Sequence, residues 1–154
     1  MITVISTLFF IFVNSGDVLK LSKELRLEIV SSVATESVVE LYKDAGWWED
    51  GWQADVIPAM VKNSFRFAAL FDGDRLVGMG RAISDGVSDA YIQDIVVKSE
   101  LRGSGWGSRI VSLLVDELHA AGVDWIGLIG APGTQRFYEK LGFSVMPDHI
   151  PMKL

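Results

Sequence analysis

Cysteine is absent from this chain of 154 residues. That excludes disulfides, thiolate nucleophiles, zinc knuckles and iron–sulfur ligation. Positive charge is scarce: 14 Lys and Arg stand against 20 Asp and Glu, leaving a net charge of −6. A general nucleic-acid binder needs a basic face for phosphate contacts, so no nucleic-acid partner is expected and cationic partners are favoured. The chain has only 2 His. Both, His119 on a long helical pattern and His149 in the tail, read as surface or structural residues, and no metal is expected. One strongly apolar run, ITVISTLFFIFV over 2–13, stops well short of the roughly 20 residues a spanning helix needs. It also lacks the basic flank and small-residue cleavage site of a secretory signal. Its β-branched and aromatic content reads as a strand. The expectation for 1–24 is an apolar extension forming an added strand, on its own sheet edge or a neighbour's, as a homodimer element. A short leader is the alternative. A cytoplasmic location without a membrane partner is expected.

What the chain does have is a globular balance, 49% apolar and 22% charged, and the length for one well-filled domain, taken as 25–154. Leu25 to Val30 suggests a strand. Thr35 is expected to cap a helix in which Val38, Leu41, Tyr42 and Ala45 share a face, stopped by Gly46. A second short helix follows around Asp55 to Lys62. Phe65–Phe71 and Arg75–Ile83 read as strands joined by the turn Asp72-Gly73-Asp74, and Tyr91–Val97 as another. Trp106 to Ala121 is the clearest helix, with Ile110, Leu113, Leu114, Leu118 and Ala121 on one face and Gly122 past its end. A strand at Trp125–Ile129, a short helix at Gln135–Leu141 and a final strand from Phe143 complete the pattern. The fold class is α+β. The expected sheet is mixed and mostly antiparallel, of about 6–7 strands with helices on both faces, and one βαβ unit closes the chain.

Between Val97 and the long helix stands Lys98-Ser99-Glu100-Leu101-Arg102-Gly103-Ser104-Gly105-Trp106-Gly107-Ser108. Alternating glycines allow backbone conformations closed to other residues and let a ligand approach the N–H groups. With the unpaired donors and dipole of a helix start, such a loop forms an anion site. Arg102 and Arg109 add positive charge, and the ligand implied is a phosphate or pyrophosphate. A Walker A loop would need a terminal Gly-Lys-Ser/Thr, and a dinucleotide fingerprint a third glycine where Ser108 stands, so neither applies. On spacing alone, a loop whose glycines merely permit a turn remains open.

These residues resemble the GNAT superfamily of acyl-coenzyme A dependent N-acetyltransferases. Its Arg/Gln-x-x-Gly-x-Gly/Ala signature stands here as Arg102-Gly103-Ser104-Gly105-Trp106-Gly107. Tyr91 to Val97 is similar to the family's fourth strand, and Phe137-Tyr138-Glu139-Lys140-Leu141-Gly142-Phe143 to its last helix and following strand. The resemblance implies that acetyl-CoA is the cosubstrate. Its pyrophosphate would lie on the N–H groups of Arg102 to Ser108, and its pantetheine arm would pair with Ile95, Val96 and Val97 where two parallel strands splay apart. It also implies Tyr138 as general acid for the departing thiolate. Relatives carry a cofactor-contacting asparagine where this chain has Ala131; Thr134 or Gln135 is the substitute.

Acetyl transfer to an amine needs the neutral nucleophile, and deprotonating a lysine-like amine at pH 7 costs about 4–5 kcal/mol. Asp94 is the candidate base. Strand alternation sets it on the opposite face from both Gln93 and Ile95. Backbone N–H groups near Val96 and Val97 would polarise the thioester carbonyl. The segment from Gly46 to Trp52 is the candidate acceptor wall: Trp47, Trp48 and Glu49 suit a cationic or aromatic amine, with at least one tryptophan expected to pack beneath the first helices. No basic cluster suits a sugar phosphate, so the acceptor expected is a small amine or a peptide amine. The alternative function is a non-catalytic acyl-CoA sensing module.

Overall fold

In the segment Arg66–Asp72 the side chains on both faces are apolar, as expected of a strand buried on both sides. In the computed structural model, which describes residues 25–154, this is strand β2. Phe67 and Ala69 point to one layer of helices, Ala68 and Leu70 to the other. The flanking strands are β1 (Leu25–Ile29), β3 (Arg75–Ser84), β4 (Asp89–Val97) and β5 (Trp125–Leu128). They form a five-stranded sheet in the order β1-β2-β3-β4-β5. Every pairing is antiparallel except β4 with β5.

Helices α1 (Thr35–Asp44) and α2 (Ile57–Asn63) cover one face over β2 and β3. Val38, Leu41, Ile57 and Val61 meet Phe67, Ala69 and Met79 there. Helix α3 (Trp106–Ala120) covers the other face with Ile110, Val111, Leu114 and Leu118. Two small residues let it sit deep. A Cβ at Gly80 would collide with Ile95 Cδ1 and lie 2.7 Å from Ile110 Cγ2; one at Gly78 would lie 3.3 Å from Ile110 Cδ1. The short helix α4 (Gln135–Glu139) closes the end of the sheet beside the start of α3.

Several expectations change. The strand expected from Phe143 is not formed: Phe143–Leu154 carries no regular element among the described residues, so five strands replace about 6–7. Pro147 and Pro151 each remove a ladder N–H from that stretch, which breaks strand pairing. Ala34, not Thr35, is the cap residue of α1, and no side chain caps it. On α3, Val111 is buried where Ala121 was expected; Ala121 lies past the helix end and is exposed. The apolar run 2–13 and the dimer read from it lie outside the described residues. Among those residues, no helix is long and apolar enough to cross a membrane.

Gly80→Ala should lower stability by about 1–3 kcal/mol, the usual cost of overfilling a packed core. Chemical denaturation with far-ultraviolet circular dichroism would measure it; an unchanged midpoint would contradict the close seating of α3.

Candidate active site

Strand β4 makes its last pair with β5 at Ile92 and Leu128, then runs on to Val97 beside β3 alone. Its outer edge is therefore open from Gln93 onward. Lys98 N–H donates to Val77 O at 2.8 Å. By antiparallel alternation, the Val96 N–H faces β3 and the Val97 N–H and carbonyl face the open edge. Of the Val96 and Val97 amides expected to polarise a carbonyl, only that of Val97 is turned outward.

The opening begins at a bulge. Met79 pairs with Val96 and Arg81 with Gln93, so Asp94 and Ile95 both oppose Gly80. Asp94 holds φ at +55°, the single positive value on a non-glycine among the described residues. Aspartate tolerates this region better than most residues, and such outliers cluster at functional sites. The bulge overturns the simple alternation. Gln93 and Asp94 lie on the same face, because one guanidinium reaches both: Arg81 Nε donates to Asp94 Oδ2 at 2.5 Å and Arg81 Nη2 to Gln93 Oε1 at 2.9 Å. Ile95 does lie opposite, in the α3 layer. Tyr42 OH adds a second donor to Asp94 Oδ2 at 3.2 Å. Burial, and then the neighbouring carboxylate, push the Tyr42 phenol well above its ordinary range, so it stays a neutral donor. No partner among the described residues reaches Asp94 Oδ1.

A cleft of about 670 Å³ runs along the open edge, lined by Ile95, Val96 and Val97, the glycine loop, α4 and Trp47. Gly103 and Gly105 hold φ at +76° and +87°. Gly105 is the left-handed cap of α3, and no side chain caps that helix. From Gly103 through Ser108, no N–H donates to a protein acceptor among the described residues. A first helical turn with bare amides and no acidic side chain favours an anion.

Arg102 does not serve as the free cation expected of it. Its Nε donates to Val97 O at 3.0 Å and its Nη2 to Asp44 Oδ2 at 2.7 Å. Asp44 also accepts from the Ser99 amide and hydroxyl, each at 2.9 Å. The Ser99 hydroxyl, then its amide and the Arg102 and Lys98 charges, hold the Asp44 carboxyl below its usual 3.8 against the opposing effect of solvent loss. This clamp ties the glycine loop to the end of α1. Arg109 lies 4.5 Å over the Trp106 ring. Positive charge at the cleft comes also from Arg136 and Lys140, which the sequence reading missed; their i, i+4 spacing at α4 was the available signal.

Tyr138 lines the cleft and packs edge-on against Phe137 and Phe143, with centroids at 4.8 and 5.9 Å. Its hydroxyl has no protein partner among the described residues, and burial raises its pKa, so the phenol is protonated at neutral pH. Thr134 lines the cleft too, but its hydroxyl donates to Ala131 O at 2.7 Å. Trp47 is 41% exposed at the rim. Trp48 packs on the α1–α2 core and edge-on to Trp52 at 5.8 Å, while Glu49 is exposed. Tyr42 links the two halves, its ring 6.1 Å from that of Trp47.

The chain matches the family model described as acetyltransferase (GNAT) family over residues 28–143. It is 28% identical over 132 residues to the uncharacterized N-acetyltransferase ycf52 of Pyropia yezoensis, covering 83% of this chain and 75% of that protein. It is 40% identical over 76 residues to serotonin N-acetyltransferase 2, chloroplastic, of Oryza sativa subsp. japonica, covering 49% of this chain and only 38% of the rice protein. Among solved structures, SA2161 of meticillin-resistant Staphylococcus aureus, described as a "Probable Acetyltransferase", superposes with a TM-score of 0.76 at 25% identity. It covers 85% of this chain and 98% of that one.

Because the folded-state pKa of Asp44 is depressed, its contribution to stability is present above 3.8 and is lost as pH falls through that value towards the lower folded one. Thermal melts between pH 5 and 3 should show that acid loss in the wild type and a flatter profile in Asp44→Asn. Identical profiles would remove the clamp from the account.

Proposed function

The chain belongs to the acetyltransferase (GNAT) family, a family of acyltransferase enzymes, and from that premise we propose that it moves an acetyl group from acetyl-CoA to the primary amine of a small molecule or peptide. One observation carries the reading: the unpartnered amides from Gly103 to Ser108 open onto the same cleft as the free edge of β4 and the Tyr138 hydroxyl. These residues suit the cosubstrate. The amides and the α3 dipole would hold its diphosphate, with Arg136 and Lys140 alongside. The open edge of β4 along Ile95, Val96 and Val97 would lie beside its amide-bearing arm; the Val97 carbonyl is already held by Arg102 Nε, which leaves the Val97 N–H for the thioester oxygen.

Bound acetyl-CoA supplies an acyl group activated as a thioester. Asp94 Oδ1 takes a proton from the incoming ammonium, since Oδ2 is committed to Arg81 and Tyr42. The amine nitrogen then bonds to the carbonyl carbon, whose oxygen is stabilised by the outward amide of the β4 edge. As the carbon–sulfur bond breaks, Tyr138 gives its proton to the sulfur, and the phenolate so formed takes the second proton that the new bond leaves on the nitrogen. Of the segment bearing Trp47, Trp48 and Glu49, Trp47 at the rim and exposed Glu49 would face the acceptor, and Trp48 would back them from the α1–α2 core. Thr134 supports the cosubstrate end through its free lone pair. The rice relative's name carries a chloroplast location; for this chain the cytoplasm is proposed. A homodimer through residues 1–24 is likewise proposed.

Tyr138→Phe should cut kcat by about 10²-fold or more while calorimetric affinity for acetyl-CoA stays within about twofold, the size of effect expected of a positioned general acid. Asp94→Asn should cost kcat similarly. Full turnover in both variants would refute these roles, and absence of acetyl-CoA binding by the wild type would refute the reading itself.

A further inference from the structure

Helix α1 closes on the sequence Tyr42-Lys43-Asp44-Ala45-Gly46-Trp47. Gly46 holds φ at +72°. The turn it makes lets the Gly46 amide donate to Lys43 O at 3.0 Å and the Trp47 amide to Tyr42 O at 2.8 Å. In such a glycine stop, the residue after the glycine folds back onto the last turn and meets the side chain whose carbonyl it bonds. The Trp47 ring accordingly lies 6.1 Å from that of Tyr42. The Trp48 amide reaches the same carbonyl at 3.3 Å, and the Trp52 ring stands edge-on to Tyr42 at 6.5 Å. A single residue of α1 thus holds both ends of the tryptophan-bearing segment.

The far end of the same side chain reaches the candidate base. Tyr42 is 7% exposed, and its hydroxyl has one proton with two acceptors in range, Asp94 Oδ2 at 3.2 Å and the Met60 sulfur at 3.4 Å. The carboxylate is much the stronger acceptor. Val38 and Leu41, also buried on α1, fill this core with hydrocarbon alone. A phenylalanine at position 42 would do the same, whereas a buried hydroxyl loses hydration that only its partner offsets. Arg81 Nε donates to the same Oδ2. Two donors from different elements on one oxygen oppose rotation of the carboxylate, so Oδ1, unbonded among the described residues, keeps one direction.

We propose that Tyr42 is the positioning residue of the acceptor site: its hydroxyl aims Asp94 Oδ1, while its ring and carbonyl hold Trp47, so that base and wall keep one separation. Tyr42 acts on the incoming amine through those two residues. The inference rests on the acetyl-transfer reading and adds to it the residue that sets the acceptor geometry.

The test uses n-propylamine as acceptor and two variants, Tyr42→Phe, which keeps the ring, and Tyr42→Leu, which loses it. Thiol release from acetyl-CoA measures turnover. Tyr42→Phe should lower kcat about tenfold, the weight of one hydrogen bond to a charged group, with KM for the amine within about twofold of the wild type. Tyr42→Leu should show the same loss in kcat and, in addition, a KM for the amine raised about fivefold, since ground-state binding is then lost as well. Both should bind acetyl-CoA within about twofold of the wild type, which a general loosening of the fold would not allow. Unchanged kcat in Tyr42→Phe, or the same KM in both variants, would overturn the proposal. A second readout needs no turnover. With the 3 tyrosines labelled with carbon-13 at Cζ, the Tyr42 resonance should shift when n-propylamine is added in the presence of CoA, and should stay still in Asp94→Asn. A Tyr42 resonance that ignores the amine in the wild type, or follows it equally in Asp94→Asn, would also overturn the proposal. Absence of acetyl-CoA binding by the wild type would instead sink the acetyl-transfer reading, while the resonance comparison still decides the contact of Tyr42 with an amine-bound Asp94.

Discussion

The geometry of the site depends on one backbone irregularity, the two-for-one pairing of Asp94 and Ile95 against Gly80. A regular strand would have put Gln93 and Asp94 on opposite faces. The left-handed residue puts both under one guanidinium, and Tyr42 from α1 completes the set. Charge-assisted hydrogen bonds are among the stronger polar contacts, and here they hold a conformation that aspartate alone would seldom adopt. The bulge also increases local twist, and β4 leaves β5 directly before it. The position of the candidate base and the open edge beside it thus arise together.

A second constraint ties the two ligand-facing loops to each other. Asp44 ends α1, immediately before the tryptophan-bearing segment, and its carboxylate accepts from Ser99 and Arg102 at the head of the glycine loop. The amide cradle and the acceptor wall are thus anchored at one point. The signature arginine is held in this clamp at the margin of the cleft, where it shapes the loop, and positive charge there comes also from α4.

Much of this was legible in the chain. Gly103 and Gly105, set just ahead of the strongest amphipathic pattern, have a local physical meaning that sequence carries directly, since few residues other than glycine hold φ near +80°. The faces of α1 and α3 followed from spacing, apart from a shift of Val111 for Ala121. What was not legible depended on partners distant in sequence. Nothing near Asp94 announces a left-handed residue; its cause is Arg81 on one strand and Tyr42 on a helix. Arg102 looked like a phosphate ligand because Asp44, its actual partner, lies 58 positions away. The missing last strand was foreshadowed by Pro147 and Pro151, whose effect was outweighed by the apolar residues around them.

The sheet also acts as a partition. On one side, Gly78 and Gly80 fix how deeply α3 can sink, and with it the direction in which its bare amides point. On the other, the loop from Gly46 to Trp52 contributes little to that seating. Descendants of such a fold could exchange the second side for new walls and keep the first intact, acquiring different acceptors without rebuilding the grip on a common acyl donor.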